Sequence, residues 1–82
     1  MENTEAAVLA GLAEIVNEET GLPADSITAD KSFMDDLDID SLSMMTIVSI
    51  AEEKFEVSIP DEEVKNLPTV GQAVSFIVKA RA

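Results

Sequence analysis

The stretch DSLSMMTIVSIAEEKF, residues 40–55, decides the fold class. Asp40 is a good N-cap, and from Leu42 to about Phe55 neither glycine nor proline interrupts a run of helix-compatible residues. Leu42, Met44, Met45, Ile47, Val48, Ile50, Ala51 and Phe55 cover well over half of the helix circumference. A helix that apolar is either central in a bundle or partly covered by something other than protein. Glu52, Glu53 and Glu56 crowd its far end. Acids there oppose the helix dipole, typically by about 0.3–1 kcal/mol each, so propensity does not explain them.

Working outward, the flanks read as helix too. From Thr4 to Glu19, Val8, Leu9, Leu12, Ile15 and Val16 fall on one helical face. Asn3 or Thr4 can cap that helix, and Thr20-Gly21 followed by Pro23 stops it. Downstream, Pro60 suits the first position of a short helix reaching Asn66, with Asp61, Glu62 and Glu63 favoured in its first turn. Thr69-Val70-Gly71-Gln72 is a capping box, and Val74, Ile77 and Val78 then line one side of a last helix from Val70 to Ala80. Lys79 and Arg81 lie at its end, where cations are favoured. The expected fold is all-α, a four-helix bundle with a short third helix.

Residues 21–40 break the pattern. Their apolar residues, Leu22, Ile27, Phe33, Met34, Leu37 and Ile39, hold no helical period. A loop of about twenty residues is long for a compact domain and is usually functional or disordered. Six apolar anchors argue for an ordered loop, with at most one short turn near Ser26.

Composition limits the function. The 82 residues carry 17 Asp and Glu against 5 Lys and Arg, a net charge of −12, with no His, Cys, Trp or Tyr. Apolar residues make up 46%, too many for an acidic disordered tail, and the length suits one domain, residues 1–82. Lack of cysteine excludes disulfides, thiolate nucleophiles and Cys-ligated zinc, and lack of histidine removes the commonest general base. Five scattered cations do not make a nucleic-acid footprint. No apolar run approaches a membrane span, and the first residues lack the basic start of a signal peptide, so a cytoplasmic protein without membrane insertion is expected. Partners should be basic, and salt or divalent cations should stabilise so charged a fold. A monomer is the expected state.

The densest polar cluster runs from Asp35 to Ser43 as DDLDIDSLS. Asp36, Asp38 and Asp40 match the first three ligand positions of a calcium loop, but Ser41 stands where that loop needs glycine and Ile47 where it needs glutamate. No metal site is therefore assigned. Paired carboxylates could do acid–base work, but the chain has few polar groups with which to build a pocket. Ser41 has only weakly basic carboxylates to activate it as a nucleophile. The plainest reading makes Asp40 a cap and the other acids a solvated loop, leaving the mutual repulsion of Asp35, Asp36 and Asp38 unrelieved. In a fourth reading Ser41 is itself modified. A serine at a helix N-terminus suits a phosphodiester, because amide N–H groups and the positive dipole end face the phosphate.

The tripeptide Asp40-Ser41-Leu42 resembles the phosphopantetheine attachment motif of acyl carrier proteins. The likeness runs along the chain through Gly21-Leu22-Pro23, Lys31-Ser32-Phe33, Asp35-Asp36-Leu37, Glu52-Glu53-Lys54-Phe55, Ile59-Pro60-Asp61-Glu62-Glu63 and Thr69-Val70-Gly71. It is similar to the free-standing carriers of type II fatty-acid synthases.

That resemblance implies a single carrier domain that is no enzyme. A phosphopantetheinyl transferase would attach 4′-phosphopantetheine from coenzyme A to Ser41, beside Asp40, and the arm would carry the growing acyl chain as a thioester between synthase enzymes. The acyl chain would lie in an apolar cleft lined by Phe33, Met34, Ile47, Ala51, Ile59, Val64, Leu67, Ala73 and Phe76. Fatty-acid synthase enzymes would dock by basic patches on Asp35, Asp36, Asp38, Asp40, Glu52, Glu53 and Glu56. Two positions that are often acidic in that family are Ser43 and Thr46 here, and Ser49 stands where an apolar contact is common, so the acidic face is split around a neutral middle. A carrier for polyketide, lipid-A-type or D-alanyl chemistry, an unmodified acidic adaptor and a small calcium sensor are the competing readings.

Overall fold

The computed structural model describes residues 4–81, so Asn3, the alternative cap, lies outside the described residues. Helix α1 spans Glu5–Thr20, and the hydroxyl of Thr4 caps it by accepting from the amide of Ala7 at 3.1 Å. Gly21 ends it at φ 79°, donating its N–H to the carbonyl of Asn17 at 2.8 Å. Glycine enters that left-handed conformation without a Cβ penalty. Val8, Leu12, Ile15 and Val16 are buried, and this face packs along both α2, Ser41–Phe55, and α4, Val70–Arg81.

Helix α3, Asp61–Lys65, is a little over one turn and packs on no other helix to the same extent. Pro60 stands just before it rather than as its first residue, at φ −62° and ψ 149°. Its carbonyl accepts from Glu63 and Val64, so proline opens the helix from the cap position. Asn66 is the closing cap instead of the last helical residue. The capping box of α4 forms reciprocally: Gln72 N donates to Thr69 Oγ1 at 3.2 Å, and Thr69 N donates to Gln72 Oε1 at 3.3 Å. The architecture is the expected all-α four-helix bundle with a short third helix.

The long loop is ordered by burial and by backbone pairing. Ile27, Phe33, Leu37 and Ile39 are core residues, and a 3-10 turn forms at Ala24–Ser26. Ser32 and Thr69 make an isolated antiparallel bridge, flanked by Phe33 N to Pro68 O at 3.0 Å and Val70 N to Lys31 O at 2.9 Å. The loop is thus sewn to the start of α4. Met34 is not an anchor: it is 54% exposed. The turn from Ser32 to Asp36 directs Phe33 and Leu37 inward and Met34 out.

The apolar surplus of α2 also reaches solvent. Met44, Ile47, Ala51 and Phe55 are buried, whereas Leu42 and Met45 are 77% and 60% exposed.

Candidate functional site

Ser41 is the first residue of α2 and is exposed. Asp40 precedes it in extended geometry, and its carboxylate accepts from the amide of Ser43 at 2.8 Å. The amide and hydroxyl of Ser43 hold the Asp40 carboxyl below its ordinary value. With the Ser43 amide so engaged, the amides of Ser41 and Leu42, which have no carbonyl one turn earlier in the helix, remain at the positive end of a 15-residue helix.

The acids before Ser41 differ in what their carboxylates do. Asp36 accepts from Ser32 N at 2.7 Å, while Asp36 N and Leu37 N both donate to Ser32 O at 3.0 Å. Asp35 N is received by Ser32 Oγ at 3.3 Å. Asp38 is exposed and takes φ 54°, a left-handed position that aspartate tolerates better than most residues. The carboxylates of Asp36 and Asp40 are therefore part of the local construction, while those of Asp35 and Asp38 remain exposed, as the reading of a solvated loop expects. Outside the cluster, Thr28's hydroxyl lowers the carboxyl of Asp30 in the same manner.

At the other end of α2, Glu53 and Glu56 are exposed, and Glu56 ends the helix at φ 55°. Glu52 differs. Its carboxylate accepts from the amide of Ile59 at 2.8 Å, which gives this acid a structural role at the helix end. Among the exposed residues between Asp40 and Glu53 there is no charge: they are Ser41, Leu42, Met45, Thr46 and Ser49.

Behind the exposed face of α2 lies an apolar cavity of about 20 Å³. Phe33, Ile47, Ala51, Ile59, Val64, Leu67 and Ala73 line it, together with Leu12, Met44, Val48 and Ile77. Two residues assigned to the cleft from the sequence lie elsewhere. Met34 points outward from its turn, and Phe76 lines an outer depression with Glu5, Gln72 and Lys79. On α4 the cavity takes Ala73 and Ile77, four residues apart, and Phe76 is turned about 60° from the first and about 100° from the second. Met44 and Val48 flank Ile47 and Ala51 on α2, a helical signal that could have added them. The free space is about that of one water molecule, and the lining gives a water no partner. In this form the cleft is too small to hold an acyl chain.

Comparison with known proteins agrees with this geometry. The family model for the phosphopantetheine attachment site matches residues 10–77. The acyl carrier protein of Beutenbergia cavernae is 71% identical over the full length of both chains. That of Kineococcus radiotolerans is 73% identical over 95% of this chain and 96% of its own. Among solved structures, the acyl carrier protein from Enterococcus faecalis superposes with a TM-score of 0.78 at 36% identity, covering 94% of this chain and 98% of that one. A helical bundle with an attachment domain of this kind defines a carrier of covalently bound groups, not an enzyme. The chain belongs to the acyl carrier protein family, whose prosthetic group is covalent 4′-phosphopantetheine. An exposed hydroxyl beside free amides at the start of α2 fits that group's phosphodiester. Among the described residues no helix is long and apolar enough to cross a membrane.

Proposed function

We propose that residues 1–82 form a single carrier domain of type II fatty-acid synthesis in the cytoplasm, with Ser41 the attachment residue. The observation that carries this reading is Ser41 at the exposed N-terminus of α2, next to an Asp40 whose carboxylate caps the helix through the amide of Ser43. In a phosphopantetheinyl transferase the Ser41 Oγ–phosphorus bond forms and the nucleotide part of coenzyme A leaves. The group supplies the terminal thiol that a chain without cysteine lacks. The protein's own residues do three things. The start of α2 holds the phosphodiester, the apolar lining from Phe33 to Ala73 receives the acyl chain, and the exposed acids Asp35, Asp38, Glu53 and Glu56 meet basic synthase surfaces.

Each buried methylene contributes about 0.8 kcal/mol, so a medium acyl chain offsets the opening of a 20 Å³ cavity by several kcal/mol. Intact mass after incubation with coenzyme A and a broad-specificity transferase tests the assignment. One added phosphopantetheine on the wild type and none on Ser41→Ala is expected. A folded wild type that stays unmodified beside a working control carrier would overturn it. Loaded forms isolated from the host should differ by two-carbon steps; cargo of another kind would reassign the pathway.

A further inference from the structure

Glu52 lies on the face of α2 that the carrier reading gives to partners, yet its carboxylate is engaged within the protein. One oxygen accepts from Ile59 N at 2.8 Å. The main-chain carbonyl of the same residue accepts from Glu56 N and, at 3.1 Å, from Val57 N. A single residue thereby ties the connection between α2 and α3 to the last turn of α2. Pro60, next after Ile59, has no N–H with which to add a second tether.

Ile59 is 6% exposed and lines the cavity. Val64 and Leu67 continue the same wall on and just after α3, the helix that packs least on the others. An acyl chain cannot fit a cavity of about 20 Å³ unless a wall moves. Helix α1 packs on both α2 and α4, whereas α3 has no comparable partner, so the wall from Ile59 to Leu67 is the least braced.

Glu52 is only partly buried, and among the described residues just one of its oxygens is hydrogen-bonded. The Ile59 bond is charged on the acceptor side alone and uses one oxygen, whereas a lysine or arginine pairs charge with charge, and arginine can engage both oxygens at once. A cation brought up by a docked enzyme therefore competes well for it.

We propose that Glu52 is a positioning residue, a latch that holds the Ile59 wall of the cleft shut until a lysine or arginine of the docked enzyme draws its carboxylate away. Docking and release of the acyl chain are then one event. This rests on the carrier reading, in which the chain lies in this cleft.

The test uses the full-length protein loaded with octanoyl-phosphopantetheine, as wild type, Glu52→Gln and Glu52→Ala. Loading is first checked by mass, so failure of the carrier reading is seen before any latch measurement. Glutamine can still accept from Ile59 N but offers no charge to a partner; alanine removes the latch. Cleavage of the thioester by hydroxylamine should be slow in wild type and Glu52→Gln and about tenfold faster in Glu52→Ala. In Glu52→Ala, exchange of the Ile59 amide should accelerate while Val16 and Ile77 stay protected. Equal cleavage in all three would overturn the latch.

With a ketosynthase active on the wild type, Glu52→Gln should lower kcat and Glu52→Ala should retain it. A rise in KM alone for Glu52→Gln would make the residue a simple docking charge and overturn the proposal. These kinetics decide the matter even if Glu52→Ala does not fold.

Discussion

The amide of Gly71 donates to the carbonyl of Ala29 at 2.9 Å, and a β-carbon on Gly71 would stand 2.9 Å from that same oxygen. Backbone meets backbone here, so nothing flexible can give way. Gly71→Ala should therefore destabilise the fold by about 1–2 kcal/mol, even though alanine is the better helix former. Denaturant unfolding with an unchanged m-value measures it, and a neutral or stabilising result would show that the loop is free to shift.

The Asp40 cap carries a pH dependence whose sign is fixed. Its carboxyl titrates below the ordinary value of 3.8 because Ser43 bonds to the charged form. The stability it contributes is present above 3.8 and is lost as pH falls through the lower folded value. Asp40→Ala should melt a few degrees lower at pH 7, and the gap should close as the pH drops below 3.8. Asp40→Asn, which keeps a cap, should lose this contribution to the acid dependence without the full drop at neutral pH. Thermal melts from pH 2 to 7 compare the three.

Glu56 closes α2 at φ 55° and ψ 48°, a conformation that favours glycine, and sets a negative charge at the negative end of the helix. Glu56→Gly should raise stability by roughly 1 kcal/mol, the relief of backbone and charge outweighing the added freedom of the unfolded chain. A higher melting temperature at unchanged Ser41 modification is the expected result.

Ala73 lines the cavity from α4. Ala73→Leu should fill the space into which an acyl chain opens while leaving Ser41, on another helix, untouched. Attachment of the arm should proceed at the wild-type rate. An octanoyl thioester should lose protection from hydroxylamine by about fourfold for each methylene excluded. Full protection in this variant would mean that the chain lies elsewhere.

What the sequence made legible follows from the range of the interactions. The caps Thr4, Asp40 and Thr69 each act over three residues, so side-chain chemistry at fixed spacing was enough to predict them. The inward face of α1 was equally readable, from a period of 3.6. The facing of Met34 was not, because a turn built by Ser32 and Asp36 decides it. Phe76 needed the roll of α4 against its neighbours. Glu52 looked like one of three superfluous acids, since its partner lies seven residues on, past the helix end and within an aperiodic connection. Asp36 looked like repulsion until the amide of Ser32 accounted for it.

The pairing of Ser32 with Thr69 joins positions 37 residues apart in a protein otherwise made of local helices. Closing so wide a loop costs chain entropy before its few hydrogen bonds return anything. The wider closure of α1 on α4 buries a helix face in return, so the seam is expected to form after α1 and α4 have met. Weakening it should quicken unfolding and leave the folding rate nearly unchanged. The long loop before Ser41 is thus set by a clasp expected to close late and open early.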